Sequence, residues 1–195
     1  SWMWLLLMEN PTIYERLQAE VHQATAQALP NINSLNQLGY VLQVFKEVLR
    51  LYPSAYIIAR QTTRAITLGD FYVPAGTAVG ISPYVVHRRA CYYAQPNVFD
   101  PERFVLATEQ QRNRYTYLPF GAGPHACIGA GFALMEAQLI IATLTTLFSF
   151  ERADSGTVTP EPLITLRPNN PIMLRVHRKR HLVDCSAPES TLAQG

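Results

Sequence analysis

One hundred and ninety-five residues, 48% of them hydrophobic, suffice for one ordinary domain with a real core, which excludes a disordered chain. Charged residues make up only 15%, against the roughly 25% usual for soluble domains, so part of the surface is expected to be covered by something else. Sixteen basic and fourteen acidic residues leave a net charge of +2, too near balance for the sequence-independent attraction a nucleic-acid binder needs; no nucleic-acid partner is expected.

Cys91, Cys127 and Cys185 are odd in number and widely spaced, which excludes a fully paired disulfide framework and suits a reducing compartment. The opening run Ser1 to Met8 is apolar but falls short of the roughly 18 residues of a membrane span and lacks the basic start of a signal peptide. A chain that opens on Ser1 in the middle of an apolar run is expected to be the later part of a longer protein, and the cysteine count sets the expected location as cytoplasmic.

In chain order, Asn10 before Pro11 is a cap with proline at the first helical position, and Ile13, Leu17 and Val21 recur at helical spacing, predicting a helix over 11–29. Ser34 with Gln37 three residues on reads as a capping box for a second helix reaching Leu51, with Leu38, Leu42, Phe45 and Leu49 as its apolar stripe. Pro53 ends it. Short apolar runs at 57–59, 66–68, 71–73 and 77–81 then predict strands, with Gly69-Asp70 as a hairpin turn.

Residues 88–119 show no sustained period and are too long for a plain loop, the mark of a functional segment. From 129 to 148 a helix apolar on nearly every side predicts a buried, central element. Short strands are expected at 157–158, 163–166 and 172–176, and a loose tail over 182–195. The expected class is α+β, mainly α.

Glu47 and Arg50 lie three apart on the second helix and share a face, so they can pair or jointly grip a third group. Arg103, in Pro101-Glu102-Arg103-Phe104, sits in a segment that needs side-chain anchors. If the three meet, one carboxylate between two guanidinium groups pins the irregular segment to the helix.

The most informative stretch runs from Phe120 to Gly129 (FGAGPHACIG) and leads straight into the expected buried helix. Its glycines permit tight turns and close approach of a flat ligand, and the helix start favours a thiolate at Cys127, which could then ligate a metal. Gly121 to Ala126 also fits a dinucleotide fingerprint, but Pro119 interrupts the strand before it and no acidic residue follows at about 20 positions. A zinc site needs four ligands, and Cys127 with His125 has no second pair. Neither a nucleophile elbow nor a phosphate-binding P-loop occurs.

Four stretches together resemble the cytochrome P450 family of haem-thiolate monooxygenases, in its C-terminal part. Lys46 to Arg50 resembles the ExxR helix, Pro101 to Phe104 the PERF motif, Phe120 to Gly129 the FxxGxxxCxG loop, and Ala133 with Glu136 the helix that follows. The resemblance covers about Trp2 to Arg178, is closest to soluble bacterial-type members, and makes residues 1–181 an incomplete domain followed by the 182–195 tail. Ser1 to Met8 resembles the last turns of the family's long central helix, which elsewhere carries the acidic residue and threonine that deliver protons to oxygen.

The resemblance implies roles by position. Cys127 would be the catalytic thiolate on the iron of haem b, with Phe120 packed near its sulfur and Gly121, Gly123, Gly129 and Ala133 shaping the cofactor's seat. His125 and Arg60 would meet the haem propionates. Ala55, Tyr56, Ile57, Ile58, Leu163, Ile164 and Thr165 resemble segments lining an apolar substrate pocket. The stretch Arg88 to Tyr93 departs from the family pattern. The implied reaction inserts one oxygen atom from O2 into an apolar organic substrate with electrons from a ferredoxin or flavin reductase docking near Arg112 and Arg114. The alternatives are a haem-thiolate peroxygenase or isomerase, or a truncated haem-binding or interaction module without catalysis.

Overall fold

The computed structural model describes residues 1–25 and 28–179. The expected tail at 182–195, Cys185, and the boundary at 181 lie outside the described residues, as do positions 26 and 27 of the first expected helix.

Two helices open the chain, α1 (Trp2–Glu9) and α2 (Pro11–Thr25). Asn10 joins them: its backbone N–H donates to Leu7 O and its side-chain amide to Leu6 O, while its own carbonyl accepts from Ile13 and Tyr14 at 3.1 Å. The side chain thus closes the preceding helix, and Pro11, which has no N–H to satisfy, starts the next.

The second expected helix is split. A 3-10 turn spans Ile32–Gln37, and α3 spans Gly39–Leu51. The capping box belongs to the turn: Asn31 Oδ1 accepts from Asn33 N, and Ser34 Oγ accepts from Asn31 N. Ser34 is therefore the third residue of that turn, not the start of a longer helix. The amides at the start of α3 are satisfied from α2, where Glu20 accepts from Tyr40 N at 2.7 Å and Val41 N at 2.8 Å. A carboxylate over a helix N-terminus meets both unpaired donors and the positive end of the dipole.

The buried stripe of α3 is Val41, Val44, Val48 and Leu51, with Leu42 and Phe45 only half-buried. Of the expected stripe, Leu38 and Leu49 are buried while Leu42 and Phe45 are not fully enclosed, and Glu47 and Arg50 share the inward face with the valines.

Next come β1 (Ile58–Gln61), β2 (Ile66–Leu68), β3 (Phe71–Val73) and β4 (Ala78–Ile81). Strand β1 pairs with β4 and β2 with β3, all antiparallel. The Gly69-Asp70 turn joins β2 to β3 with Leu68 opposite Phe71, and Gly69 takes a φ of +58°, which glycine adopts without a side-chain clash. Ser82 then caps α4 (Pro83–Val86).

The irregular segment holds a 3-10 turn at Pro101–Phe104, α5 (Leu106–Gln111), and a second 3-10 turn at Arg114–Thr116. After the cysteine loop come α6 (Ala130–Leu147) and β5 (Phe148–Arg152), followed by β6 (Pro160–Pro162), β7 (Leu166–Pro168) and β8 (Leu174–Arg178). Strand β5 pairs with β8, and β6 with β7. The strand expected at 157–158 begins only at Pro160, and most of 163–166 is the turn between β6 and β7.

The core joins α1, α2, α3 and the second half of α6, through Leu5, Leu7, Leu17, Val21, Leu38, Val41, Val44, Ile141 and Ala142. Helix α3 is its centre, with eight of thirteen residues buried. Helix α6 departs from the expectation of burial: only Gln138, Ile141, Ala142 and Thr145 are enclosed, while Phe132, Glu136 and Ile140 face solvent. It packs along one face, anchored by Gln138 Nε2 donating to Leu38 O, and among the described residues no element covers the other. The fold is α+β and mainly helical, with its strands confined to four small antiparallel pairs.

Candidate functional site

Two assemblies stand next to each other: a buried charged hub centred on α3, and the exposed cysteine loop that it backs.

In the hub, Glu47 and Arg50 have no solvent-exposed side-chain surface. Arg50 Nε donates to Glu47 Oε2 at 2.6 Å and Nη2 to Oε1 at 2.8 Å, a bidentate pair. The other guanidinium protons reach backbone carbonyls: Nη1 donates to His87 O at 2.8 Å and Pro96 O at 2.7 Å, and Nη2 to Val98 O at 3.1 Å. All five donors of the fork are used, which is why an arginine is tolerated without water.

Glu47 Oε1 also accepts from Asp100 N at 2.9 Å. Burial pushes its carboxyl up, and the bonds from Arg50 pull it down. Arg103 joins as a charge rather than a hydrogen-bond donor: its Nε lies 3.5 Å from Glu47 Oε1 with no bond made, while Nη2 donates to Gln95 O. The structure thus brings Glu47, Arg50 and Arg103 together, and carbonyls from 87 to 98 close on the guanidinium, so an irregular segment is held by side chains in place of a ladder.

His87, at the end of α4, is fully buried and went unrecognised in the sequence, where a lone histidine before Arg88 carries no spacing signal. Its Nδ1 is 3.0 Å from Arg50 O, and its Nε2 accepts from Leu118 N at 2.7 Å. Burial lowers its pKa to about 4, with the charges of Arg50, Arg88 and Arg112 adding to the shift against the bond to Arg50 O. Tyr117 stacks on the ring at 5.4 Å and donates through its hydroxyl to Lys46 O.

The cysteine loop begins two residues past Leu118. Gly121 N donates to Leu118 O at 3.2 Å, Cys127 N to Phe120 O at 2.9 Å, and Ala126 N to Gly123 O across a 3-10 turn at Gly123–His125. Gly121 and Gly123 both hold φ near +74°, the left-handed region that other L-residues occupy at a cost. A methyl group on Gly121 would lie 3.8 Å from Ile58 Cδ1, so the loop rests against β1. One on Gly129 would lie 3.9 Å from Cys127 Sγ.

Cys127 is exposed and unpaired, two residues before Gly129, the N-cap of the 18-residue α6. Ala133 N donates to Gly129 O at 2.9 Å in the first turn. Phe120 is half-buried, and His125 and Ile128 are exposed. Arg60, on β1, is exposed, and its Nη1 donates to Ala59 O beside it.

The two apolar segments also meet. Tyr56 Oη donates to Leu163 O at 2.9 Å, and Leu166 N donates to Ser54 O at 3.1 Å. Ala55, Ile57, Leu163 and Ile164 are exposed, with Tyr56, Ile58 and Thr165 half-buried, so this face is open to solvent. Arg112 is turned inward: its guanidinium lies 4.6 Å from the Phe104 ring centre and 5.4 Å from that of Tyr93, and it donates to Arg103 O. Only Arg114 of the pair expected to meet an electron donor is exposed.

A single soft thiolate at a helix start suits an iron whose remaining ligands come largely from a porphyrin, and does not suit zinc, which takes three or four protein ligands. Among the described residues no cluster of three His, Cys, Asp or Glu side chains is placed to hold a metal ion. Gly129, whose Cβ position lies 3.9 Å from Cys127 Sγ, brings bare backbone beside the sulfur, and at Gly123 a Cβ would meet nothing within 4 Å, so the loop leaves room for a flat group. The residues present fit haem.

The chain belongs to the cytochrome P450 family, whose profile it matches over residues 1–176. It is 35% identical to cyclooctatin synthase of Streptomyces melanosporofaciens over 85% of this chain and 36% of that protein. It is equally 35% identical to cytochrome P450 72A397 of Kalopanax septemlobus, over 91% of this chain and 34% of that protein. The probable cytochrome P450 4aa1 of Drosophila melanogaster gives 35% over 90% and 35% of the two chains. The chain thus spans about a third of the length of these relatives, and equal identities to bacterial, plant and insect proteins single out no bacterial-type membership. The family is one of haem-dependent oxidoreductases that use O2, an electron donor and an organic substrate.

Proposed function

We propose that this chain is the C-terminal, haem-ligating portion of a P450 monooxygenase, that residues 1–181 belong to that one domain with 182–195 as a tail, and that Cys127 is the iron's thiolate ligand. The observation that carries this reading is the placement of Cys127: an exposed thiol on a glycine loop at the start of α6, with its own amide held by Phe120 O. Haem b, when bound, would supply O2 binding and one-electron chemistry, with the thiolate's electron donation favouring O–O cleavage.

The residues of the chain would do the rest. Gly121, Gly123 and Gly129 let the backbone come close to the macrocycle, while Phe120 and Ala133 pack its sulfur side. His125 and Arg60, both exposed, would turn towards the propionates. Ala55 to Ile58 and Leu163 to Thr165, joined by the Tyr56 hydroxyl, would form an apolar wall against an apolar substrate.

In the whole protein, one atom of O2 would enter the substrate and the other leave as water, with two electrons supplied through a ferredoxin or flavin reductase and two protons drawn from water. Arg114 remains available for that donor's docking; reversing its charge should slow reduction. Free Cys91 and Cys127 support a reducing, cytoplasmic setting. Helix α6 is long and apolar enough to cross a membrane by composition, but one face of it packs in the core. Iron-edge X-ray absorption of the haem-loaded protein tests the ligand assignment: an iron–sulfur path present in the wild type should vanish in Cys127→Ala.

A further inference from the structure

We infer that His87 is a positioning residue for the cysteine loop, its imidazole fixing Leu118 against the Glu47–Arg50 hub through two hydrogen bonds of opposite sense. A backbone carbonyl can only accept, so the nitrogen 3.0 Å from Arg50 O, Nδ1, carries the proton. A backbone amide can only donate, so the nitrogen 2.7 Å from Leu118 N, Nε2, carries none. The two partners select one neutral tautomer of a ring that no water reaches.

Leu118 is the last residue held from outside before the loop closes on itself. Its carbonyl accepts from Gly121 N, whose left-handed turn leads towards the Phe120 O bond to Cys127 N. A slip of Leu118 is therefore passed to the residue after Phe120 and onward to the sulfur. On its other side, His87 receives Arg50 Nη1 at its own carbonyl, so ring and backbone are tied to the same arginine. The charged and titratable groups around the ring are Arg50, Arg88 and Arg112, with Tyr117 stacked on it and Glu47 neutralising Arg50 from behind. An imidazolium here would face three cations and turn a donor on the Leu118 amide. The consequence for iron ligation rests on the reading of Cys127 as ligand; the placement of Leu118 does not.

Two variants separate positioning from mere filling of space. The amide of Asn reaches the Nδ1 position and keeps a donor to Arg50 O, whereas that of Gln reaches the Nε2 position and can present its oxygen to Leu118 N. Native-state hydrogen exchange is measured at Leu118, Gly121 and Cys127, with Val44 and Val48 of α3 as controls. His87→Asn should speed exchange at the three loop amides by roughly five- to tenfold, the worth of one net hydrogen bond, and leave the controls unchanged. His87→Gln should restore the loop amides to near wild type. Equal effects of the two variants, or acceleration of all amides together, would overturn the inference. Should His87→Asn not fold, ring 15N shifts of the wild type decide: the Nδ1–H neutral tautomer at neutral pH supports it, and the Nε2–H tautomer or an imidazolium overturns it. These readouts follow amides and ring protons, so a failure of haem ligation at Cys127 would be seen separately.

Discussion

Arg50 and His87 hold each other by reciprocal bonds: the guanidinium Nη1 donates to the histidine carbonyl at 2.8 Å, and the ring Nδ1 donates to the arginine carbonyl at 3.0 Å. Through this exchange a helix from the first third of the chain and the approach to the cysteine loop share one buried centre.

Replacing Arg50 with Leu should be among the most damaging single changes. It strands the Glu47 carboxylate in a site without water and frees three backbone carbonyls, and breaking such a buried pair costs about 3 to 5 kcal/mol. Arg50→Lys should do little better, because an ammonium cannot fork to Glu47 and reach the three carbonyls at once. Urea unfolding monitored by circular dichroism measures both.

Acid should weaken the fold through His87. Its pKa is about 4 in the folded protein and near 6.5 when unfolded, so folding favours the neutral ring. That contribution is fully present above pH 6.5, declines as the pH falls below it, and is spent by about pH 4. The gap corresponds to about 3 kcal/mol at most. Unfolding free energies at pH 7 and pH 4.5 should differ more in the wild type than in His87→Gln, which has no group to titrate; equal differences would contradict the assignment.

Glycines with and without a positive φ should respond oppositely to alanine. Gly123→Ala meets no neighbour, so its penalty of about 1 to 2 kcal/mol is conformational alone. Gly131→Ala, in the first turn of α6 with open space around it, should be neutral or stabilise by about 0.5 kcal/mol. Thermal melts of the two variants compare them directly.

Glu20→Ala should destabilise by about 1 to 2 kcal/mol, because it uncaps the start of α3 across a helix boundary. Exchange at the Tyr40 and Val41 amides should rise with it. A change confined to α2 would argue against this long-range cap.

Where residue types and short spacings carry the physics, the sequence was legible. The Gly69-Asp70 hairpin, the glycines around Cys127 and the i, i+3 pair of Glu47 and Arg50 all act within a few residues of themselves. Contacts that span the chain left no local mark: Glu20 on α3, His87 between Arg50 and Leu118, and the β5–β8 pairing that sets Phe148 against Arg178. Ser34 and Gln37 carry a capping-box signature in the sequence, but Asn31 and Ser34 offer the same signature one turn earlier and form the box. Hydrophobicity on every side of α6 signals contact on every side, whereas the described residues cover one face only.

The central claim is that Cys127 ligates the haem iron, and the carbon monoxide spectrum of the reduced protein tests it most directly. The account predicts the red-shifted Soret band of a thiolate-ligated ferrous complex in the wild type and its loss in Cys127→Ala. The same band surviving in Cys127→Ala, or a histidine-type band in the wild type, would contradict it.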